Sequence, residues 1–242
     1  MRIDASNKSY KELNAAILKN PDPNTQITGC CGQRYIADGF SGKKIEIFGT
    51  PGNALGAYMD SGEIFVHGDV QDAVGDTMND GRIYVDGMAG DAVGYAMRGG
   101  EIFIHGNVGY RAGIHMKAYG QKRPLMIVGG CAGSFLGEYQ AGGTIVVLGL
   151  NAGSEPPVSY FCGMGMHGGA IYLRTKILPA DLSDRIVASE VTRKDMWELM
   201  PKLEHFCNIF GENLNEILKT PFYKLTPDSG NPYKQLYVAN YQ

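Results

Sequence analysis

The sequence lacks the features of a membrane, secreted or nucleic-acid-binding protein. No apolar run reaches the roughly 18 residues that a membrane helix needs, and the opening MRIDASNKSY has no signal-peptide core. An excess of one charge is also missing, because 22 basic and 25 acidic residues leave a formal net charge of −3. This balance gives no electrostatic footprint for nucleic acid or an anionic membrane. These absences predict a cytoplasmic protein that binds neither nucleic acid nor a membrane.

Motifs of catalysis and metal binding are also scarce. The five cysteines are too irregularly spaced for a disulfide framework, a zinc site or an iron–sulfur cluster. A GxGxxG match at Gly163, Gly165 and Gly168 does not join a strand to a helix, so dinucleotide binding is not indicated. An amidase with an amino-terminal nucleophile would need Cys, Ser or Thr directly after Met1, and position 2 is Arg2. We therefore predict no catalytic, cofactor-binding or metal-binding residue.

Glycine, by contrast, is abundant, with 34 of 242 residues, and it is periodic. Rows of 19 residues beginning at Gly49, Gly68, Gly87 and Gly130 align with one another, and a longer copy begins at Gly106. Glycine fills the first, fourth, eighth and fourteenth positions of the four regular rows in all places but one. A fixed period of about 20 residues indicates a solenoid whose units bury their apolar faces against each other.

Each row predicts one short strand, as in EIFVH, RIYVD, EIFIH and TIVVL, and hence a β-helix with one coil per row. Alternate strand residues form two inward columns. One column is Ile45, Ile64, Ile83, Ile102, Leu125 and Ile145, and the other is Ile47, Val66, Val85, Ile104, Ile127 and Val147. A third column, interpreted as core rather than as a metal or haem site, is Met59, Met78, Met97 and Met116.

Both ends of the chain interrupt the repeat and predict caps. Ser9 with Glu12 forms a capping box for a short helix, and Thr192 with Asp195 begins a longer helix that Gly211 ends. The predicted division is an amino-terminal cap at 1–28, the β-helix at 29–175, and a helical cap with an extended arm at 176–242. The arm, FYKLTPDSGNPYKQLYVANYQ, is interpreted as lying over a surface of this chain or of a partner.

Phe65, Tyr84 and Phe103 form an outward column on successive strands. A contiguous apolar strip of this size is rarely exposed on a soluble protein. Either the terminal segments of the chain cover it or another protein does, and both alternatives remain open. We take these three residues as the candidate partner interface.

The last position of three successive predicted strands, EIFVH, RIYVD and EIFIH, is occupied by His67, Asp86 and His105. A metal ion could lie between such side chains. A ladder of hydrogen bonds that satisfies the polar groups needs no third ligand and is the favoured interpretation.

Three segments resemble one known domain. They are the repeat GxxGxxxGxxMxxGxIxVxG, the opening GCCGQRYI and the close FYKLTPDSGNPYKQLY, and they are similar to the carboxyl-terminal GXGXG domain of the glutamate synthase large subunit. In stand-alone form, this domain occurs in split glutamate synthases and N-methylglutamate synthase-like complexes. The resemblance implies an all-β solenoid, a single-stranded right-handed parallel β-helix of about six or seven coils with helical caps at both ends.

The resemblance also implies a function. The chain would be a non-catalytic structural subunit of a complex that converts glutamine and 2-oxoglutarate reductively to glutamate. Its partners would be a class II glutamine amidotransferase subunit and a synthase subunit that holds FMN and an iron–sulfur cluster, with no cofactor in this chain. The segment after Arg174 favours this family over formylmethanofuran dehydrogenase, one subunit of which carries the same repeats.

Two further alternatives are an independent β-helix enzyme and a self-associating protein, that is, a homo-oligomer. An enzyme of this shape usually clusters its carboxylates on one face. Here Asp69, Asp72, Asp76 and Asp91 are scattered over turns, which disfavours the enzyme.

Overall fold

The structure, a computed structural model, describes residues 1–229. The rest of the predicted arm, from residue 230 onward, lies outside the described residues. The strands are β1 (Arg2–Asp4), β2 (Asn24–Cys31), β3 (Lys44–Thr50), β4 (Glu63–His67), β5 (Arg82–Val85), β6 (Glu101–Ile104), β7 (Leu125–Val128), β8 (Ala141–Val147), β9 (Gly168–Arg174), β10 (Ile186–Glu190) and β11 (Phe222–Pro227). The helices are α1 (Tyr10–Lys19), α2 (Arg193–Phe210) and α3 (Leu214–Ile217).

All the strands named above join one 11-stranded sheet, in the order β1-β2-β3-β4-β5-β6-β7-β8-β9-β11-β10. Neighbours from β1 to β9 are parallel. The last two strands reverse direction, because β11 is antiparallel to both β9 and β10. The first nine strands therefore follow the chain order one repeat at a time, whereas the end of the sheet is closed by the carboxyl-terminal segment.

The prediction of an all-β, right-handed parallel β-helix is wrong for this fold, which over residues 1–229 is a single, mostly parallel sheet with three helices. Each repeat supplies one regular strand, and the rest of the repeat consists of turns. These turns contact the next repeat through isolated bridges such as Val70–Ala89 and through single backbone hydrogen bonds, such as the one that the N–H of Ala73 donates to the carbonyl oxygen of Asp91 at 2.8 Å, rather than through regular strands. A 19-residue period requires neighbouring repeats to stack, but it does not determine how many regular strands each repeat forms.

The predicted stacking of Ile64, Ile83 and Ile102 is confirmed by the strand register, and all three are fully buried. The prediction fails at the insertion after Gly106. Ile102 pairs with Met126 rather than with Leu125, so Met126 takes the inner position and Leu125 turns to the opposite face. A shift of one residue reverses every side chain in a strand, and the insertion produces that shift.

The methionine column is confirmed as core, because Met59, Met78, Met97 and Met116 are all fully buried. Between each methionine and the preceding strand, the turn carries three residues with positive φ at alternate positions. In the row from Gly68 these are Ala73, Gly75 and Thr77, with φ of 58°, 66° and 52°. The middle residue of the three faces the core, since a Cβ on Gly75 would lie 2.5 Å from Cδ1 of Ile102.

Both predicted capping boxes are confirmed, and Gly211 ends α2 in the left-handed conformation. Helix α1 packs against the core through Leu13 and Ile17, which are buried. Helix α2 does not cap the end of the stack as predicted. It lies on the outer face of the sheet, because its apolar side chains complement the aromatic residues of β5 and β6.

Candidate functional site

The outward column Phe65, Tyr84 and Phe103 has an intramolecular partner. Phe103 is fully buried and Tyr84 is 5% exposed, because α2 packs over them with Leu203 and Phe206. Phe65 is partly buried against the same cluster. The prediction of a partner interface at this strip is therefore corrected: of the two alternatives, the chain itself covers Tyr84 and Phe103.

A polar contact orients the helix over the strip. The hydroxyl of Tyr84 lies 3.0 Å from Nε2 of His205 on α2, and the His205 ring meets the edge of Phe103 at 5.1 Å between centroids. Burial raises the pKa of Tyr84 to about 12, so the phenol stays protonated. The hydrogen bond and the ring contact fix how α2 lies on the strip, in addition to apolar packing.

The three residues of the strand-end column do not converge on one point. His105 binds Asp86 through Nδ1 at 3.0 Å and Glu212, just beyond α2, through Nε2 at 2.9 Å. His67 instead binds Glu46 at 2.9 Å and stacks on Phe48. Within residues 1–229 no three His, Cys, Asp or Glu side chains are grouped as a metal ion requires. The predicted hydrogen bond is present between Asp86 and His105, but the ladder does not extend to His67, which bonds to Glu46 instead. His105 connects the sheet to the segment after α2 through Glu212.

The geometry around His105 predicts a pH dependence of stability. Burial disfavours its charged form, but the hydrogen bonds to Glu212 and Asp86 outweigh that cost and raise its pKa above the ordinary 6.5. A raised folded pKa contributes stability that is fully present below about pH 6.5 and is lost as the pH rises through the folded value. We expect the free energy of unfolding, measured by urea titration, to fall across that interval in the wild type and to fall less in His105→Gln.

The control for this prediction is His167→Gln. The His167 ring has a backbone oxygen, that of Gly165 at 3.3 Å, as its hydrogen-bond partner and does not connect two elements through carboxylates. This variant should keep the wild-type pH profile. Equal profiles for wild type and His105→Gln would show that the His105 contacts do not stabilise the fold.

The turn carboxylates that looked scattered have structural partners. Asp69 accepts a hydrogen bond from the backbone N–H of Met88 at 2.8 Å, and Asp72 accepts one from the N–H of Asp91 at 2.9 Å. Asp91 does the same for Tyr110 at 2.8 Å. Asp76 instead accepts a hydrogen bond from the hydroxyl of its neighbour Thr77 at 2.7 Å. Each of the other three carboxylates satisfies a backbone donor of the next repeat, 19 residues on. Their role in this structure is to connect repeats.

Four of the five cysteines have the environment of inert thiols. Burial raises the pKa of Cys30 to about 11 and that of Cys162 to about 12, far from the range of a reactive thiolate. Burial also raises the pKa of Cys131 and Cys207. Cys31 is exposed, and its backbone N–H, not its sulfur, forms the bond at this turn, to Gln33. Within residues 1–229 the cysteines are not grouped as the ligands of an iron–sulfur cluster must be.

A charged cleft of about 590 Å³ lies beside β4, β5 and β6. Arg82 bridges Glu101 at 2.9 Å and Glu63 at 3.5 Å, and Lys202 of α2 also binds Glu101. Burial alone would raise the pKa of Glu101, but its bonds to Lys202 and Arg82 hold it below the ordinary value. Opposite charges pair along the cleft, which suits a bridge between α2 and the sheet rather than a binding site for an ion.

Sequence reasoning missed a second exposed surface, formed by the turns on the other side of the repeats. Arg111, Phe135 and Phe161 occupy the first positive-φ position of their turns, and His115 and Tyr139 occupy the third. Alignment of the rows contains the signal, because the same positions in the rows from Gly68 and Gly87 hold only alanine or threonine. Large side chains are thus contiguous at these positions in the carboxyl-terminal half of the stack, whereas in the row from Gly49 Tyr58 is large and Ala54 is small.

Comparison with known proteins gives three results. The family model described as GXGXG motif matches residues 8–227. Uncharacterized protein MJ1350 of Methanocaldococcus jannaschii is 44% identical over 251 aligned positions, which cover 98% of this chain and 96% of that protein. A chain in the crystal structure of the formyltransferase/hydrolase complex FhcABCD from Methylorubrum extorquens, in complex with methylofuran, has a TM-score of 0.62 at 19% identity, covering 94% of this chain and 91% of that chain. This last likeness concerns the fold.

In residues 1–229 no helix is both long and apolar enough to cross a membrane.

Proposed function

Because this chain belongs to the GXGXG motif family, the type of the glutamate synthase carboxyl-terminal domain, we propose that it is a non-catalytic structural subunit of a multi-subunit enzyme complex. The observation that carries the proposal is the fold shared over 94% of the chain with a protein that is itself part of a complex. A stack of repeats suits this role, because each repeat holds its turns at a fixed distance from the next.

Two complexes are candidates. The FhcABCD likeness favours the alternative considered from the sequence, a scaffold like the repeat-bearing subunit of formylmethanofuran dehydrogenase, in a complex that handles formyl groups. The family type favours a glutamate synthase-type complex. In that complex a class II glutamine amidotransferase subunit would release ammonia, and an FMN and iron–sulfur subunit would reduce the product formed with 2-oxoglutarate. Both candidates place the chemistry in partner chains, and we expect either complex in the cytoplasm.

The test is purification of the tagged chain from its own host under mild conditions, followed by mass spectrometry, visible spectroscopy and two assays. A formyl-transfer activity of the purified complex supports the first candidate. Glutamate formation from glutamine and 2-oxoglutarate, together with flavin absorbance from a partner, supports the second. A chain that purifies alone and catalyses a reaction, or that binds flavin by itself, would overturn the scaffold proposal.

The matched control is a tagged chain from which residues 193–229 are deleted, because this segment includes α2 and the closing strand β11. Without them the strip at Phe103 is uncovered and the sheet loses its end. Partners lost with this deletion depend on α2 and the end of the sheet, and an unrelated tagged protein purified from the same host identifies nonspecific capture.

A further inference from the structure

The outer face of the sheet carries one Glu–Phe–His pattern twice. The sequence reads EIFVH at 63–67 in β4 and EIFIH at 101–105, in β6 and the residue after it. The two strands align in register through β5, so equivalent residues are two strand spacings, about 10 Å, apart. We call Glu63, Phe65 and His67 the first motif and Glu101, Phe103 and His105 the second motif.

Helix α2 covers the second motif. Each of its three residues has one contact that comes from α2 or from the segment directly after it: Lys202 to Glu101, the His205 ring to the edge of Phe103 at 5.1 Å between centroids, and Glu212 to Nε2 of His105 at 2.9 Å. Phe103 is fully buried as a result. A helix that offers a basic, an aromatic and an acidic side chain is therefore a cover that this pattern accepts.

The charged residues of the first motif have contacts to neighbouring strands but none to a helix among residues 1–229. Glu63 lies 3.5 Å from Arg82 and 4.0 Å from Lys44. Its side chain is 38% exposed, against 18% for its counterpart in the second motif. His67 bonds to Glu46 through Nε2 at 2.9 Å, and within the described chain its Nδ1 has no hydrogen-bond partner. The contact that each lacks is the one that Lys202 or Glu212 supplies to its counterpart.

The apolar part of the first motif is also incompletely covered. Phe65 is only partly buried against the cluster that α2 covers, and its ring lies 5.9 Å from that of Tyr84. Phe48 of β3 stacks on His67 at 4.4 Å between centroids and is 39% exposed. The first motif is thus continuous with the surface under α2, and burying its two phenylalanine rings would be favourable.

A second copy of the chain has no helix of this chemistry to offer from residues 1–229. The apolar face of α2, with Leu203 and Phe206, is already buried on its own sheet. Helix α1 buries Leu13 and Ile17 in the core, and α3 has only four residues. The helix that would complete the first motif must therefore come from another polypeptide.

We propose that the first motif, with Phe48, is the docking surface for an amphipathic helix of a partner subunit. The helix presents Lys or Arg to Glu63, an apolar or aromatic side chain to Phe65 and Phe48, and Asp or Glu to Nδ1 of His67. This set is what α2 and the segment after it supply to the second motif, and it combines apolar burial with charge-assisted hydrogen bonds. The inference rests on the proposed function, because it names the surface through which the scaffold holds a partner.

The experiment compares tagged full-length chains purified from the native host. The variants are Glu63→Gln and Phe65→Ala, and the controls are Glu155→Gln and Tyr58→Ala, an exposed carboxylate and an exposed aromatic residue outside both motifs. We expect each variant to retain at least about tenfold less partner than wild type by quantitative mass spectrometry, and each control to retain it fully. Full retention by both variants, or equal loss from variants and controls, overturns the docking surface.

Urea midpoints separate a loss of binding from a loss of folding. A variant with the wild-type midpoint that loses partner has lost binding. If Phe65→Ala lowers the midpoint, Glu63→Gln carries the test, because it keeps the size of an exposed side chain and removes only its charge.

A photo-crosslinking phenylalanine analogue at position 65, compared with one at position 58, identifies what touches the first motif. Crosslinks from 65 to a helical partner peptide with a basic residue within one turn of the crosslinked site support the proposal. Crosslinks to a second copy, crosslinks to residues 230–242 of the same chain, or none while the complex stays intact overturn the docking surface and leave the scaffold function standing. If the wild-type chain forms no complex at all, both the docking surface and the scaffold function are overturned.

Discussion

Gly75→Ala is expected to lower the free energy of unfolding by about 2–4 kcal/mol. Gly75 has φ of 66°, a conformation that costs an L-residue about 1 kcal/mol. The new methyl group would also lie 2.5 Å from Cδ1 of Ile102, in the core between two repeats. Overpacking of this kind costs about 1–3 kcal/mol, because the surrounding side chains must leave their preferred rotamers. Urea denaturation, monitored by circular dichroism, measures the total loss in free energy of unfolding.

The matched control is Gly39→Ala. Gly39 has a similar φ of 61°, but a Cβ there would have no neighbouring atom within 4 Å. The control should therefore lose only the conformational part, about 1 kcal/mol. If both variants lose the same free energy of unfolding, the predicted collision with Ile102 does not contribute. The glycine at the eighth position of each row would then be required for its backbone conformation alone.

The repeat made the interior predictable from sequence. Once the rows are aligned, the glycine positions, the isoleucine ladders and the methionine column all follow, because each is a local property repeated at a fixed period. The capping boxes at Ser9 and Thr192 are also local, since each depends on residues only three positions apart. The placement of Met126 was missed because the insertion in the preceding repeat changes the phase of the next strand by one residue.

What the sequence did not show depends on contacts between distant segments. The strip at Phe103 is covered by α2, about a hundred residues later in the chain, and no periodic signal predicts that docking. The closing strands β11 and β10 are antiparallel, which the parallel repeat does not suggest. The exposed surface at Arg111, Phe135 and Phe161 differs from both, because aligned rows already show where Phe135 and Phe161 replace alanine. These positions lie in the turns, outside the strand columns from which the interior was predicted.

Phe206→Ala on α2 is expected to destabilise the protein by about 3–5 kcal/mol, the usual loss for a buried phenylalanine. Phe206 is fully buried, and its ring packs against Phe210 at 4.9 Å between centroids. Its Cζ lies only 2.8 Å from the position that a Cβ on Gly129 would take, so the glycine directly after β7 makes room for this ring. The cavity left by alanine would weaken the attachment of α2 and expose the strip at Phe103.

The loss should therefore begin locally. In hydrogen exchange, the amides of α2 should lose protection at lower denaturant than those of β4 and β5, because the core between the repeats does not contain Phe206. The control on the same helix is Trp197→Ala, since Trp197 is 82% exposed and should change stability by no more than about 0.5 kcal/mol. If protection fell equally in α2 and the sheet, α2 and the repeats would unfold as one cooperative unit. The attachment of α2 would then be part of what holds the repeats together, not only a cover over one face.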